Sequence, residues 1–248
     1  MKFFFNPSRM SVGMSALFSI FLMFSLSAQN NEIGIVLGAT AYHGDIEVKN
    51  NSFLQQTRPI AGVFYRYHPS DRWAFRGQLL FGQIHADEKR YAIASPGNFR
   101  QKRGISFTTT LLELSILPEW RFARAGDVDF YVFSGISGFH FTPIVNYNEP
   151  NPIIGDRILD KEATYSKFSW AIPVGGGLQW SVTDKIAIGL EATIRKTFTD
   201  QIDGLSLSAN PKVKDYYFFA NLTISTFFGN QQRSKSRKRN KNTGCPTF

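Results

Sequence analysis

The sequence predicts an all-β fold, an eight-stranded antiparallel transmembrane outer-membrane β-barrel, and three observations carry that prediction. Eight segments alternate in polarity with period two, their connections alternate strictly between long and short, and aromatic residues collect where segments end. The segments fall at about 31–42, 59–68, 72–86, 106–122, 127–141, 168–182, 185–199 and 215–228. A helical period is absent from all of them.

The fourth segment sends Leu112, Leu114, Ile116, Trp120 and Phe122 to one side, and Leu111, Glu113, Ser115, Glu119 and Arg121 to the other. In the sixth, "FSWAIPVGGGLQWSV", Phe168, Trp170, Ile172, Val174, Leu178 and Trp180 alternate with residues of almost no bulk. The seventh, "KIAIGLEATIR", sets Ile186, Ile188, Leu190 and Ile194 against Gly189, Glu191, Thr193 and Arg195. The eighth opposes Tyr216, Phe218, Ala220 and Leu222 to Tyr217, Phe219, Asn221 and Thr223. Each is a strand with two unlike faces.

The short connections "PSDR", "ARAGD" and "TDK" have turn chemistry, and the long ones span 43–58, 87–105, 142–167 and 200–214. An even number of strands with tight turns at one end and long loops at the other is the pattern of outer-membrane barrels. Tyr67, Trp73, Trp120, Phe122 and Trp180 flank the short turns as one aromatic belt. Trp170 precedes Trp180 by ten residues, a rise of roughly 33 Å that a tilt near 45° reduces to about 23 Å across the membrane.

In such a barrel the apolar face looks outward. Arg66, Arg76, Gln78, Glu113, Glu119, Arg121, Gln179, Glu191, Arg195 and Asn221 then face a lumen just wide enough for its own side chains, where acids and bases neutralise one another and leave no pore. Glu191 and Arg195, four apart on one face, are expected to pair, and Gly175, Gly176 and Gly177 to make room for bulky lumen groups.

The ends differ from the body. Residues 1–28 read as a secretory signal peptide, with Lys2 and Arg9 before an apolar run and small residues Ser25, Ser27 and Ala28 after it. The barrel occupies 29–228, and 229–248 form a short disordered basic periplasmic tail with Arg233, Lys235, Arg237, Lys238, Arg239 and Lys241 and no acid. Setting aside those six cations and two in the leader, the body holds 20 basic against 19 acidic residues, so the net charge of +9 implies no nucleic-acid partner. The tail cations suit anionic lipid headgroups of the outer membrane. Cys245, the single cysteine, excludes an internal disulfide and is expected to pair with a periplasmic partner.

The stretches "NEIGIVLGATAYHGDI", "KFSWAIPVGGGLQW", "IGLEATIRKTFTDQIDG" and the closing "CPTF" resemble the PorG-like outer-membrane proteins of Bacteroidetes, a component of the type IX secretion system. The resemblance implies a non-enzymatic barrel without cofactors that anchors or organises the periplasmic ring of a protein secretion or gliding apparatus. The implied partners are a PorK-like lipoprotein and a PorN-like protein.

Other chemistry finds little footing. His43, His68, His85 and His140 match no metal or triad spacing, and hydrogen bonding at the rim and in the lumen accounts for them. Asp200 and Asp203 beside Gly204 suggest calcium, but a turn leaving the seventh strand explains them more simply. Two alternatives to the ring anchor are an adhesin-like surface barrel working through loops 87–105 and 142–167, and a membrane-embedded lipid-modifying enzyme with its site at the external rim.

Overall fold

A computed structural model of the chain describes residues 31–43, 56–87, 105–146, 166–199, 201–202 and 216–228. The strands are β1 (Asn31–His43), β2 (Arg58–Tyr67), β3 (Trp73–Asp87), β4 (Ser106–Ala125), β5 (Val128–Ser134), β6 (Ile136–Asn146), β7 (Phe168–Ser181), β8 (Ile186–Thr197) and β9 (Tyr216–Phe228). All pairings are antiparallel, and β1 pairs with both β2 and β9, so the sheet closes on itself.

The nine strands make eight staves. β5 and β6 are halves of one stave, because each pairs with β4 on one side and β7 on the other. The interruption is Gly135, whose N–H reaches the Pro173 carbonyl at 3.2 Å. Pro118 on β4 and Pro173 on β7 flank this point, and a proline has no N–H to give the ladder. The sequence signal for this stave ends near residue 141, yet β6 runs to Asn146 against β4. Pro143 is tolerated there because β7 begins only at Phe168, so its missing donor takes nothing from that ladder.

Alternation along β3 and β4 puts every second side chain in the barrel and its neighbours outside. The outside is apolar: Leu114 is 62% exposed and Phe81 59%, while Arg66 and Arg76 inside are each 1% exposed. This inversion suits a lipid surround and is the opposite of a water-soluble core. At the turn end Trp73 faces Trp120 across the β3/β4 ladder, and the Trp120 and Phe122 rings lie 6.1 Å apart. A register shift between Arg121 and Ala123 leaves Phe122 unpaired, which keeps it on the outer face beside Trp120. Gly126 closes the β4/β5 hairpin at φ 61°, a conformation open to glycine at no steric cost.

The first and last staves begin and end at the short-turn end, since Asn31 pairs with both Tyr67 and Phe228. The expected signal peptide, the basic tail with Cys245, the residues Asp200, Asp203 and Gly204, and most of the four long connections lie outside the described residues.

Replacing Leu114 by arginine puts a charge on the lipid-facing wall, and refolding into lipid vesicles should lose about 2 to 4 kcal/mol of stability. Urea titration of the vesicle-bound barrel measures it. A Ser115→Ala change one position along, on the lumen face, provides the contrast.

Candidate functional site

Among the described residues, the lumen is where charge is concentrated away from water. At the turn end, seven of the eight staves contribute to a single network. Arg66 of β2 donates to Glu32 of β1 at 2.7 Å and lies 2.9 Å from Glu119 of β4. Arg76 of β3 approaches Glu119 to 2.8 Å and also binds Glu191 of β8, which accepts from the Tyr131 hydroxyl of β5. Arg121 reaches Asp129 at 3.1 Å and donates to Gln179 of β7 at 2.8 Å, and Gln179 in turn donates to Glu32 at 2.7 Å. Arg124, at the turn, completes the pairing of Asp129.

Four carboxylates (Glu32, Glu119, Asp129, Glu191) therefore meet four guanidinium groups (Arg66, Arg76, Arg121, Arg124). Balance is needed here, because an unmatched buried charge costs several kcal/mol. Nearer the long-loop end a separate group forms: Arg195 Nε of β8 donates to both oxygens of Glu113 at 2.9 and 3.0 Å, and Tyr217 of β9 donates to Glu113 at 2.8 Å. With it, all eight staves are tied across the lumen.

Aromatic rings cover the guanidinium planes. Arg195 lies 3.8 Å above the Phe219 ring, Arg76 4.6 Å from Phe133, and Arg66 4.9 Å from Phe64. Beyond this layer the lumen is mainly apolar, filled by Phe107, Leu111, Phe139, Phe141, Ile84 and their neighbours, with the buried hydroxyls of Thr40, Thr109 and Thr197 among them. Among the described residues the interior is thus packed in two storeys, charged at the turn end and aromatic at the loop end, with no channel between.

Every residue that the sequence places in the lumen is buried: Arg66, Arg76, Gln78, Glu113, Glu119, Arg121, Gln179, Glu191, Arg195 and Asn221. Two expectations are corrected. Glu191 and Arg195 do not pair with each other, because four residues of strand separate them by roughly 13 Å and each finds its partner across the lumen instead. Of the three glycines only Gly175 and Gly177 face inward, where a Cβ would come within 2.8 Å of the Phe133 ring and 2.9 Å of the Glu191 side chain; Gly176 faces out beside Val132. Glu32, His68, Asp129, Tyr131 and Tyr217 join the network without having been singled out for it. Their signal was present in strand parity, but no acid–base pattern along the chain marks them.

The histidines do not converge. His68, just after β2, is buried against Glu32 at 2.9 Å; His85 bonds Thr108 at 3.0 Å on the outer face; His140 is exposed on the outer face level with Leu112. The His43 side chain lies outside the described residues. Burial holds the His68 imidazole below its ordinary value, against the opposing pull of Glu32.

Ring closure, the inverted burial and the interior filled by the described residues define a small transmembrane β-barrel of the outer-membrane type. The chain belongs to the family described as Domain of unknown function (DUF6089), whose model matches residues 11–234. No curated protein matches it. Similar solved structures include Neisserial surface protein A, at 10% identity and a TM-score of 0.47 over 79% of this chain and 96% of that one. The outer membrane protein OprG of Pseudomonas aeruginosa has 11% identity and 0.44 over 82% and 98%. The attachment invasion locus protein Ail of Yersinia pestis has 14% identity and 0.41 over 80% and 97%.

Glu113→Ala strands the Arg195 guanidinium and the Tyr217 hydroxyl and should cost about 3 to 5 kcal/mol, whereas Glu113→Leu combined with Arg195→Met should recover most of that loss. Chemical unfolding followed by tryptophan fluorescence checks both. His68 should protonate below about 6.5, so the barrel loses stability as pH falls through that value, where the unfolded chain binds the proton first. NMR titration of the refolded protein, with His68→Gln as the flattened control, reads the effect.

Proposed function

We propose that the protein is a non-enzymatic outer-membrane barrel that anchors or organises the periplasmic ring of a type IX protein secretion or gliding apparatus. The packed lumen carries this reading. With the interior given over to ion pairs and rings, nothing passes through the barrel, and its work falls to its ends. In the proposed orientation the short turns and the tail with Cys245 face the periplasm, and the long loops are extracellular. Both chain ends leave the described barrel at the short-turn side, which supports placing leader and tail together. The resemblance of the four quoted stretches to the PorG-like proteins supports the finer assignment, with a PorK-like lipoprotein and a PorN-like protein as partners. The six cations of the tail supply reach, solubility and contact with lipid headgroups, and the thiol a covalent hold.

One observation favours the surface-barrel alternative. The outward row of β3 changes from Phe81 to Gln83, His85 and Asp87, and that of β4 from Leu112 to Thr110, Thr108 and Ser106. These staves rise past the apolar band with a polar exterior, as a platform for loops would.

Affinity capture of the full chain from solubilised membranes under non-reducing conditions separates the two. Ring proteins captured by wild type, with a disulfide-linked band absent from Cys245→Ser, support the anchor. Capture of none, with intact-cell binding lost on trimming 88–104, supports the surface barrel. Planar-bilayer recordings should show no stable conductance from either form.

A further inference from the structure

Among the described residues the cations buried in the lumen are all arginines, although Arg72 and Arg124 at the short turns are exposed. Arg66, Arg76, Arg121 and Arg195 are buried in the lumen, while the three lysines among the described residues, Lys167, Lys185 and Lys196, are exposed. Lys185 sits in a short turn and Lys167 just before β7, but Lys196 projects from the lipid-facing wall itself. From Trp180 to Trp170 on β7, Ile186 to Phe198 along β8, Phe228 to Tyr216 on β9 and Ile33 to Ala41 on β1, Lys196 is the one outward-facing Lys, Arg, Asp or Glu among the described residues.

Its surroundings are built from interface-seeking groups. Lys196 pairs with Ile172 on one side and Tyr216 on the other, and Phe198, one outward position nearer the rim, is bonded through its N–H to the Trp170 carbonyl at 3.0 Å. Trp170 and Phe168 stack edge to face at 5.3 Å beside it. The ammonium therefore lies within the aromatic ledge at the loop end of the apolar band, where tryptophan and tyrosine mark the headgroup level. On its own stave and on the flanking β7 and β9 the described residues hold one carboxylate, Glu191, which faces the lumen and is taken by Arg76. A charge so placed can extend its stem along the apolar ledge to the headgroup layer, where lipid phosphates lie.

We propose that Lys196, framed by Trp170 and Tyr216, is a binding site for the phosphate of a phosphorylated glycolipid in the outer leaflet. The choice of glycolipid rests on the orientation proposed above, in which the long loops are extracellular. Lys196 supplies the charge, the Tyr216 hydroxyl and Trp170 indole N–H are donors at the same level, and Ile172 and Phe198 carry the acyl chains.

The test is lipid retention by the full chain extracted from its own outer membrane in mild detergent and passed through gel filtration. Wild type, Lys196→Arg, Lys196→Met and Lys196→Gln are compared by bound phosphorus and by mass spectrometry of the lipid, with heat-modifiable gel migration showing that each has folded. Wild type and Lys196→Arg should carry phosphorylated glycolipid, and Lys196→Met and Lys196→Gln roughly fivefold less, the loss expected for one cation at a lipid surface. Equal retention by all four, or none by wild type, overturns the site while leaving the orientation untouched. Retention of a phospholipid that depends on Lys196 overturns the glycolipid assignment and, with it, the orientation.

Discussion

The structure depends on guanidinium groups held without water. Arg66, Arg76 and Arg195 each meet carboxylates at their edges and an aromatic ring on a face, so charge and planar surface are satisfied together. Few other side chains could take this place. A lysine would offer a compact, strongly hydrated charge with no plane to stack, and an apolar residue would strand Glu32, Glu119 and Glu191. Because the carboxylates come from β1, β4, β5 and β8 and the arginines from β2, β3, β4 and β8, the network fixes which staves face one another across the lumen. Backbone ladders close the ring, and the ion pairs set its interior spacing.

The same constraint explains the two storeys. An eight-stranded barrel is narrow, and filling it with charge along its whole height would require matched partners at every level. Here the charged storey ends where the rings begin. Phe64 and Phe219 belong to both, each lying under a guanidinium and packing in the apolar cluster with Phe139, Tyr217 and Leu80, while Phe133, under Arg76, packs with Leu117 and Tyr131. Glu113, Arg195 and Tyr217 are the exception, a balanced ionic group that ties β4, β8 and β9 at a height where the other lumen residues carry no charge.

Much of this was legible because side-chain parity in a strand is rigid. Once Leu112, Leu114 and Ile116 are set outward, Glu113 and Glu119 must point in, and the polar lumen residues of β2, β3, β7, β8 and β9 follow by the same rule. Parity says which side chains share a cavity and nothing of which ones touch. Arg76 finds Glu191 at a separation of 115 residues and Arg195 finds Glu113 at 82, so the nearer Glu191 with Arg195 was the natural but mistaken pairing. The aromatic storey was hidden for another reason: in "YYFF" at 216–219 both faces are aromatic, and polarity cannot tell the lipid side from the lumen side. The divided fifth stave needed three elements at once, since Pro118, Gly135 and Pro173 are far apart in sequence and meet only across neighbouring staves.

The partition of cations gives the wall a direction that the ladders alone lack. Arginines fill the lumen because their planes and forked donors suit desolvated carboxylates and rings; the described lysines lie outside because a flexible stem carries a hydrated charge to a boundary. The turn end has Trp73, Trp120 and Trp180 on its rim and an ionic floor beneath, while the loop end has Lys196 among Trp170, Tyr216 and Phe198 and an aromatic ceiling within. A symmetric plug would leave the two membrane faces equivalent. This one does not, and a barrel with a filled lumen can still present one chemistry to each leaflet.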